Sequence, residues 1–506
     1  MSELWRTLQG NRPRFALIVV IEAILGGTEA LLHPLLIKAI FDQAVLAGDF
    51  GRFLALGAFY LLLGLAINLG AYANSWWRKR FENSFVLSLE MELLDRTLGL
   101  DSRQMATAGN ASYVSRIHND VREGVLPAID VSVRVAKQVI ASVVFVGVLL
   151  YLSWQASLIL LVIVPPLVFV SNRIAKRIGE NTEPEREAEA RYINKLTRTL
   201  EAVRAVRGLP LLLPGARQVN RTALSGFLDI TFVNHRLNLR QRTLSDLTMN
   251  LSDTAAMVVG AFFVFAGRMS FGGFLAFVNS LWRAVTGILT VINTIPQFRR
   301  NAAVLRRIHT LRGFTAAPYH ERGPMVLLHG VRVSYDAGTR VSIEAFELHP
   351  GEHVLLRGPN GCGKTTLLQI VAGTLAPDAG LVTLPPRVAS LTAPVHLPPL
   401  PVRDLVPDEG LRVSMGVDGL NDQLPTRLSS GQRQKVGIAA LLCEDADVYL
   451  VDEPFANLDD EARELALREL TERTRGRGLL MVLHGDEELD DRFDRVVTLS
   501  GAGARR

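Results

Sequence analysis

The sequence predicts two fold classes in one chain: an α-helical membrane domain of six transmembrane helices with long cytoplasmic extensions, then an α/β domain built around a phosphate-binding loop. Three observations carry that expectation. The 506 residues are 48% hydrophobic with a mean hydropathy of +0.22, too apolar for an ordinary soluble enzyme of this length. The apolar residues of the first 300 positions gather in stretches near the roughly 20 residues that cross about 30 Å of hydrocarbon as a helix. Residues 355–373, LLRGPNGCGKTTLLQIVAG, place a glycine-rich loop between a short apolar run and a helical pattern.

The membrane elements come first. Residues 1–14 carry three arginines and no small-residue cleavage site before the first apolar stretch, so they read as a retained cytoplasmic lead-in rather than a signal peptide. Six spans are expected at 15–40, 53–77, 133–152, 156–172, 247–267 and 271–295. The third and fourth are the clearest, since residues 138–170 contain no charged side chain and break only at Ser153-Trp154-Gln155. Segments 1–14, 76–125 and 171–245 hold 3, 7 and 14 Lys/Arg, whereas the connections after spans one, three and five hold only Arg52 and Arg268. The positive-inside rule therefore puts both ends and the two long loops in the cytosol. Those loops, across 78–98 and 183–206, are rich in helix formers and poor in Gly and Pro, and read as helical extensions of the spans.

An unpaired charge in hydrocarbon costs at least about 2.5 kcal/mol, so the charges within the spans need a role. Glu22, Glu29 and His33 share one face of the first helix at 100° per residue. Two readings stand. They could line a cavity for a cationic solute, with Asn279, Trp282, Arg283 and Thr286 of span six, or they could pair across helices with Arg134, Lys137 or Arg283.

The net charge of +5 and pI near 9.3 raise nucleic-acid binding as an option. The distribution of 24 basic residues inside against 2 outside assigns them to membrane topology instead, so no nucleic-acid partner is expected. The two cysteines, Cys362 and Cys443, cannot form a disulfide framework, and one lies in the phosphate loop, which suits a reducing cytosol.

The loop itself runs Gly358, Pro359, Asn360, Gly361, Cys362, Gly363, Lys364, Thr365. Glycines let successive backbone N–H groups point at a polyphosphate and the following helix adds its positive end. Lys364 reaches the β- and γ-phosphates, and Thr365 offers a hydroxyl to Mg²⁺. Downstream, the apolar run 448–451 ends in Asp452 and Glu453, where a Mg²⁺-holding carboxylate and a water-activating carboxylate would sit. Between them lies Leu428-Ser429-Ser430-Gly431-Gln432, and His484 follows a last strand at 479–483.

This set, in this order, resembles the ATP-binding cassette (ABC) family. The six spans, the long loops and GNASYVSRIHNDV, with Gly109, Arg116, Asn119 and Asp120, resemble the membrane half of ABC exporters. The resemblance implies a six-helix membrane domain (1–310), a linker (311–324) and a P-loop NTPase cassette (325–506). It implies ATP and Mg²⁺ as cofactors, with Tyr335 stacking on adenine and residues 358–366, Thr366 included, cradling phosphates. Thr365 and Asp452 would hold the metal, Glu453 would be the general base and His484 would contact the γ-phosphate.

Ser429, Ser430, Gly431 and Gln432 would bind the ATP held by a second half-transporter, in a homodimer or heterodimer, and Asn457, Leu458 and Asp459 fall in a dimer-facing loop. Contacts between loops and cassette are expected near 102–113 and 210–221. Without the resemblance, Tyr335 reads as a strand aromatic, Glu453 as a helix-start residue and His484 as a core histidine.

Two departures stand out. LSSGQ has Ser430 in the first glycine place of the usual LSGGQ, and Ala393 occupies the place of a glutamine that ligates Mg²⁺ and reports nucleotide state to the membrane helices. Only 34 residues separate Ala393 from Leu428, short for the family's helical subdomain. The implied function is ATP-driven export or flipping of an unidentified solute across the cytoplasmic membrane by alternating access. The alternative is a regulatory half that binds ATP, hydrolyses it weakly and supports an unlike partner.

Overall fold

The computed structural model describes residues 2–108, 113–162, 165–166, 182–313, 320–335, 340–483 and 487–499. It divides into two compact units, one of Met1–Leu94 and Val114–Arg312, the other of Asp95–Tyr113 and Gly313–Arg506.

The first unit is all helix. Helix α1 (Arg12–Ile40) opens with Pro13 in its first turn, where the missing N–H costs nothing, and ends in a π-helical turn at Phe41–Val45. Helices α2 (Phe50–Leu98), α3 (Leu126–Leu152), α4 (Thr182–Glu201), α5 (Leu212–Phe265) and α6 (Phe271–Gly313) follow. Among the described residues five helices are long and apolar enough to cross a membrane. They contain the expected spans one, two and three and cover all but the last two or three residues of five and six. The fourth, 156–172, falls partly outside the described residues, and its described start, 154–162, is helical after a break at the extended Ser153.

The helical extensions are continuous with the spans: α2 runs 49 residues and α5 runs 54. Helix α4 packs along α5, where Asn234 donates to Glu185 at 2.5 Å. Helix α6 continues to Gly313, so the first residues of the expected linker, 311–313, are helical.

Inside the bundle, Ala30, Phe145, Phe263, Phe277 and Leu281 form one apolar cluster shared by α1, α3, α5 and α6. The charges on α1 are paired. Glu22 accepts from Lys137 Nζ at 3.0 Å and from Asn74 at 2.8 Å. Glu29 accepts from Arg283 at 3.0 Å, and His33 meets the Tyr60 hydroxyl at 2.6 Å. Of the two readings for this face, cross-helix pairing is the one realised, because an opposite charge within hydrogen-bonding reach offsets the desolvation each carboxylate suffers. Arg134 goes instead to Asp130, one turn away on its own helix. Asp120, singled out in GNASYVSRIHNDV, takes a two-pronged contact from Arg307 at 2.6 and 3.1 Å; Gly109 of the same motif lies outside the described residues.

The second unit is α/β. A four-stranded sheet has the order β1 (Glu321–Arg322), β5 (Ala379–Leu384), β2 (Val326–Ser334), β3 (Arg340–Leu348). Strands β2, β3 and β5 pair antiparallel. A five-stranded, wholly parallel sheet has the order β6 (Val388–Leu391), β7 (Val448–Asp452), β8 (Gly478–Val482), β4 (His353–Arg357), β9 (Arg495–Thr498). Every residue of β7 and β8 is buried, which is why they read as unbroken apolar runs.

Helix α7 (Lys364–Val371) packs its Leu367, Ile370 and Val371 with Val354 and Leu356 in one core. Helix α8 (Ser430–Leu442) contributes Val436, Ile438 and Ala439 to a second core, with Tyr449 and Met481. The 34-residue interval before Leu428 contains only short helices, among them Val402–Leu405 and Glu409–Ser414.

Candidate nucleotide site

The parallel sheet delivers the site at the carboxyl ends of its strands, where α/β sheets place ligands. Strand β4 ends at Arg357 and the loop turns through Gly358, Gly361 and Gly363, with φ of 146°, 83° and 104°. A side chain at Gly358 would be strained by that φ and would put its Cβ 2.6 Å from the Leu499 carbonyl oxygen and 2.8 Å from Cys362 Sγ. Only glycine lets the loop close there. Gly363 then serves as the N-cap of α7, so Lys364 is its first residue.

A cleft of ≈ 690 Å³ opens above this loop, lined by Tyr335, Asn360, Gly361, Gly363, Lys364, Thr365, Thr366, Ala393, Ser430, Gln434, Asp452, Glu453 and Asn457 among others. Lys364 is buried, at 7% exposure, and its ammonium donates to the carbonyls of Gly358 at 2.7 Å and Pro359 at 3.1 Å. Both acceptors are neutral, and they solvate the cation without cancelling its charge. A buried cation at a helix start beneath a glycine-rich loop fits a polyphosphate.

Thr365 and Asp452, the residues that would hold Mg²⁺, line the same cleft. Among the described residues no group of three His, Cys, Asp or Glu could hold a metal by itself. One threonine hydroxyl and one carboxylate suit an ion shared with water and phosphate rather than a closed protein cage.

Glu453 follows β7 with φ of 48°, a conformation unusual for a non-glycine residue. Its N–H donates to the Val482 carbonyl at 3.0 Å. Gln434 of α8, 4% exposed, donates to the Pro454 carbonyl at 2.8 Å and reaches the Glu453 carbonyl at 3.5 Å. The turn that carries Glu453 is thus held from the strand side and the helix side. Asn457, in the same turn, also has positive φ, at 64°.

Tyr335, just past β2, lines the cleft, and its hydroxyl meets Thr366 Oγ1 at 2.9 Å. Ser429 caps α8 reciprocally: its side chain accepts from Gln432 N at 3.2 Å while Gln432 Oε1 accepts from Ser429 N at 2.9 Å. This capping box fixes a helix N-terminus at the signature. Ser430 borders the cleft, whereas Ser429, Gly431 and Gln432 do not. His484 lies outside the described residues.

The expected loop contact at 102–113 lies within the second unit. Arg103 donates to Asp378 at 2.7 Å and to the Ala376 carbonyl at 2.6 Å, and Ser102 N donates to the Thr374 carbonyl at 2.8 Å. The hydrogen bond from Arg103 holds the Asp378 carboxyl below its ordinary range.

Two residues of the site carry no sequence signal, Gln434 and Asp378. Gln434 sits two residues past the signature, where only folding shows that it points at the Glu453 turn. Asp378 carries no local signal at all, because its partners are 44 and 275 residues away.

Comparison with known proteins agrees with the architecture. The family model described as ABC transporter transmembrane region matches residues 16–289, and the one described as ABC transporter matches 342–394 and 409–456. The interval between the two cassette matches, 395–408, holds Pro398, Pro399, Pro401 and Pro407.

Relatives named ATP-dependent lipid A-core flippase are similar over almost all of the chain. The protein from Burkholderia pseudomallei (strain 1710b) is 24% identical, over 96% of this chain and 87% of its own. That from Burkholderia orbicola (strain AU 1054) is 25% identical over 99% and 91%, and that from Bordetella avium (strain 197N) is 23% identical over 98% and 92%. With the membrane model covering more than half of the residues and the cassette model covering the phosphate loop and the Asp452-Glu453 strand, the chain belongs to the ABC transporters, as an integral-membrane half-transporter of exporter type whose single cassette couples ATP hydrolysis to transport.

Proposed function

We propose that this chain works as a homodimer in the cytoplasmic membrane, with N-terminus and cassette in the cytosol, and flips an amphipathic lipid by alternating access. The observation that carries the reading is the convergence in one cleft of Lys364, Thr365, Asp452 and Glu453, a cation, two metal-facing oxygens and a base of the kinds that Mg²⁺-dependent phosphoryl transfer to water uses. In this reading Tyr335 stacks on adenine, residues 358–366 cradle the phosphates, and Lys364 offsets charge on the β- and γ-phosphates. Thr365 and Asp452 hold Mg²⁺, which when bound neutralises developing charge on the phosphate oxygens.

Glu453 accepts a proton from the attacking water, and its held backbone keeps the carboxylate in place. His484 orients that water. Ser429, Ser430, Gly431 and Gln432 complete the partner subunit's site at a helix N-terminus. Closing two such sites biases the membrane helices to one of two states and hydrolysis releases them.

The lipid class is suggested by the names of the relatives and by the pairing on α1. With Glu22 and Glu29 satisfied by Lys137 and Arg283, that face no longer offers uncompensated negative charge to a cation. Proteoliposomes holding the chain and fluorescent lipid A test the reading. ATP is expected to move label between leaflets, and Glu453→Gln to abolish the movement. ATP turnover without lipid movement would assign the cargo to another class.

A second reading, a regulatory half serving an unlike partner, is favoured by one observation. Ala393 presents a methyl group to the cleft wall, and it cannot ligate a metal. An absence of turnover by the chain alone, with ATP bound, would support that reading.

A further inference from the structure

Helix α8 meets the turn that carries Glu453 at two places. At the helix start, a Cβ on Gly431 would lie 2.8 Å from the Asn457 carbonyl oxygen, so the first turn of α8 rests directly on the far end of residues 453–457. One helical turn on, Gln434 reaches the near end: its Nε2 donates to the Pro454 carbonyl at 2.8 Å and approaches the Glu453 carbonyl at 3.5 Å. Further along, a Cβ on Gly437 would lie 2.8 Å from a Val395 methyl and 3.2 Å from a Leu391 methyl. The helix is thus wedged between the turn of Glu453 and the wall that includes Ala393.

The orientation of the Gln434 amide follows from its partners. Both are carbonyl oxygens, and of the two ends of an amide only the NH₂ group donates. Oε1 is therefore turned away from the turn. Gln434 is 4% exposed and lines the cleft, and among the described residues none donates to its Oε1. That oxygen is not one of the enclosed polar atoms left without a partner, so it opens on the cleft, while the nitrogen is committed to the backbone.

That backbone needs holding. Glu453 and Asn457 have φ of 48° and 64°, a region that an ordinary side chain keeps only when its surroundings impose it. The bond from Glu453 N to the Val482 carbonyl fixes the peptide before Glu453. Gln434 fixes the peptides after it. With both sides held, the direction of the Glu453 Cα–Cβ bond is set, and any tilt of that bond is magnified along the side chain to the carboxylate.

We propose that Gln434 is a positioning residue for ATP hydrolysis, whose amide donor aims the Glu453 carboxylate at the attacking water. The inference rests on the reading of Glu453 as general base. The groups that would hold the nucleotide, on the phosphate loop and α7, are not hydrogen-bonded to Gln434, so the effect falls on the rate of the chemical step and not on nucleotide affinity.

The test uses the full chain in lipid nanodiscs. Steady-state hydrolysis gives kcat and KM, the equilibrium Kd for ATP is measured in the Glu453→Gln background, and the melting midpoint is recorded without nucleotide. Gln434→Met keeps the length of the side chain but has no donor, and it is expected to lower kcat about tenfold to a hundredfold, the cost of a misplacement near 1 Å. Kd for ATP is expected to stay within about twofold of the parent, as for any interaction that acts on the base and not on the bound nucleotide. Gln434→His places a ring Nε2–H at nearly the reach of the amide and is expected to recover most of the lost rate.

A kcat for Gln434→Met equal to that of the parent would overturn the proposal and leave Glu453 as base. A rise in Kd that matches the loss of rate, with a lowered nucleotide-free midpoint, would reduce Gln434 to packing and overturn it. Histidine no better than methionine would show that the donor is not what matters. A parent chain that binds ATP and turns it over as fast as Glu453→Gln would instead remove the reading of Glu453 as base, and the inference with it.

Discussion

Cys362 shows how much a single position of the phosphate loop reports. Its thiol is half-buried, and Sγ lies where a Cβ on Gly358 would collide with it. A bulky adduct on that sulfur would press on Gly358 and distort the loop that the proposed phosphate site is built on. Maleimide is therefore expected to inhibit ATP hydrolysis, ATP to protect against it, and Cys362→Ala to make the activity resistant; inhibition that persists in Cys362→Ala would move the reactive thiol to Cys443 and contradict this placement. The chemistry of the loop was legible in the sequence because it is local: eight consecutive residues set glycine torsions, a helix start and a buried lysine together. Gln434 and Asp378 were not legible, because each acts through a backbone group brought close only by the fold. An isolated glutamine or aspartate in sequence looks like any solvated side chain.

At the scale of elements, strand β2, which leads to Tyr335, depends on close approach to its neighbour β5. Gly380, at φ of 111°, sits opposite a register shift in β2, and a Cβ there would lie 2.6 Å from Val331 Cα and 2.7 Å from the Gly330 oxygen. No flexible side chain is available to yield, since the atoms in the way are backbone. Gly380→Ala is expected to destabilise the cassette by about 1–3 kcal/mol through strain alone, read as a lower thermal midpoint of the nucleotide-free chain and weaker ATP binding; an unchanged midpoint would show that β2 and β5 separate at no cost.

Strands β7 and β8 were recognisable as buried because a parallel sheet covered on both faces leaves no polar alternation. The extension at 78–98 was legible from its helix formers and forms the end of α2, whereas the length of α5 was less so. Hydropathy marks where a helix crosses hydrocarbon, yet α2 and α5 continue through polar sequence held by α-helical propensity and by neighbours such as Glu185 on Asn234. Span limits therefore fell inside much longer helices.

On the scale of the whole molecule, the family follows from the order of motifs and the span count, while the pairing of Glu22 and Glu29 follows only from the packed bundle. A shared face of α1 fits a cationic cavity and a set of ion pairs alike; Lys137 and Arg283, 115 and 254 residues away, decide between them. The departure at Ala393 bears on the central claim, because a transporter lacking that amide has to hydrolyse ATP and pass its effect onward with the remaining cleft residues. The most direct measurement is ATP hydrolysis by this chain purified alone in lipid nanodiscs, beside Glu453→Gln. Steady turnover by the parent, reduced about a thousandfold or more by the substitution while ATP still binds, is the predicted result for a self-sufficient half-transporter with Glu453 as general base. Equal turnover by both proteins, or ATP binding with no turnover by either, would contradict it.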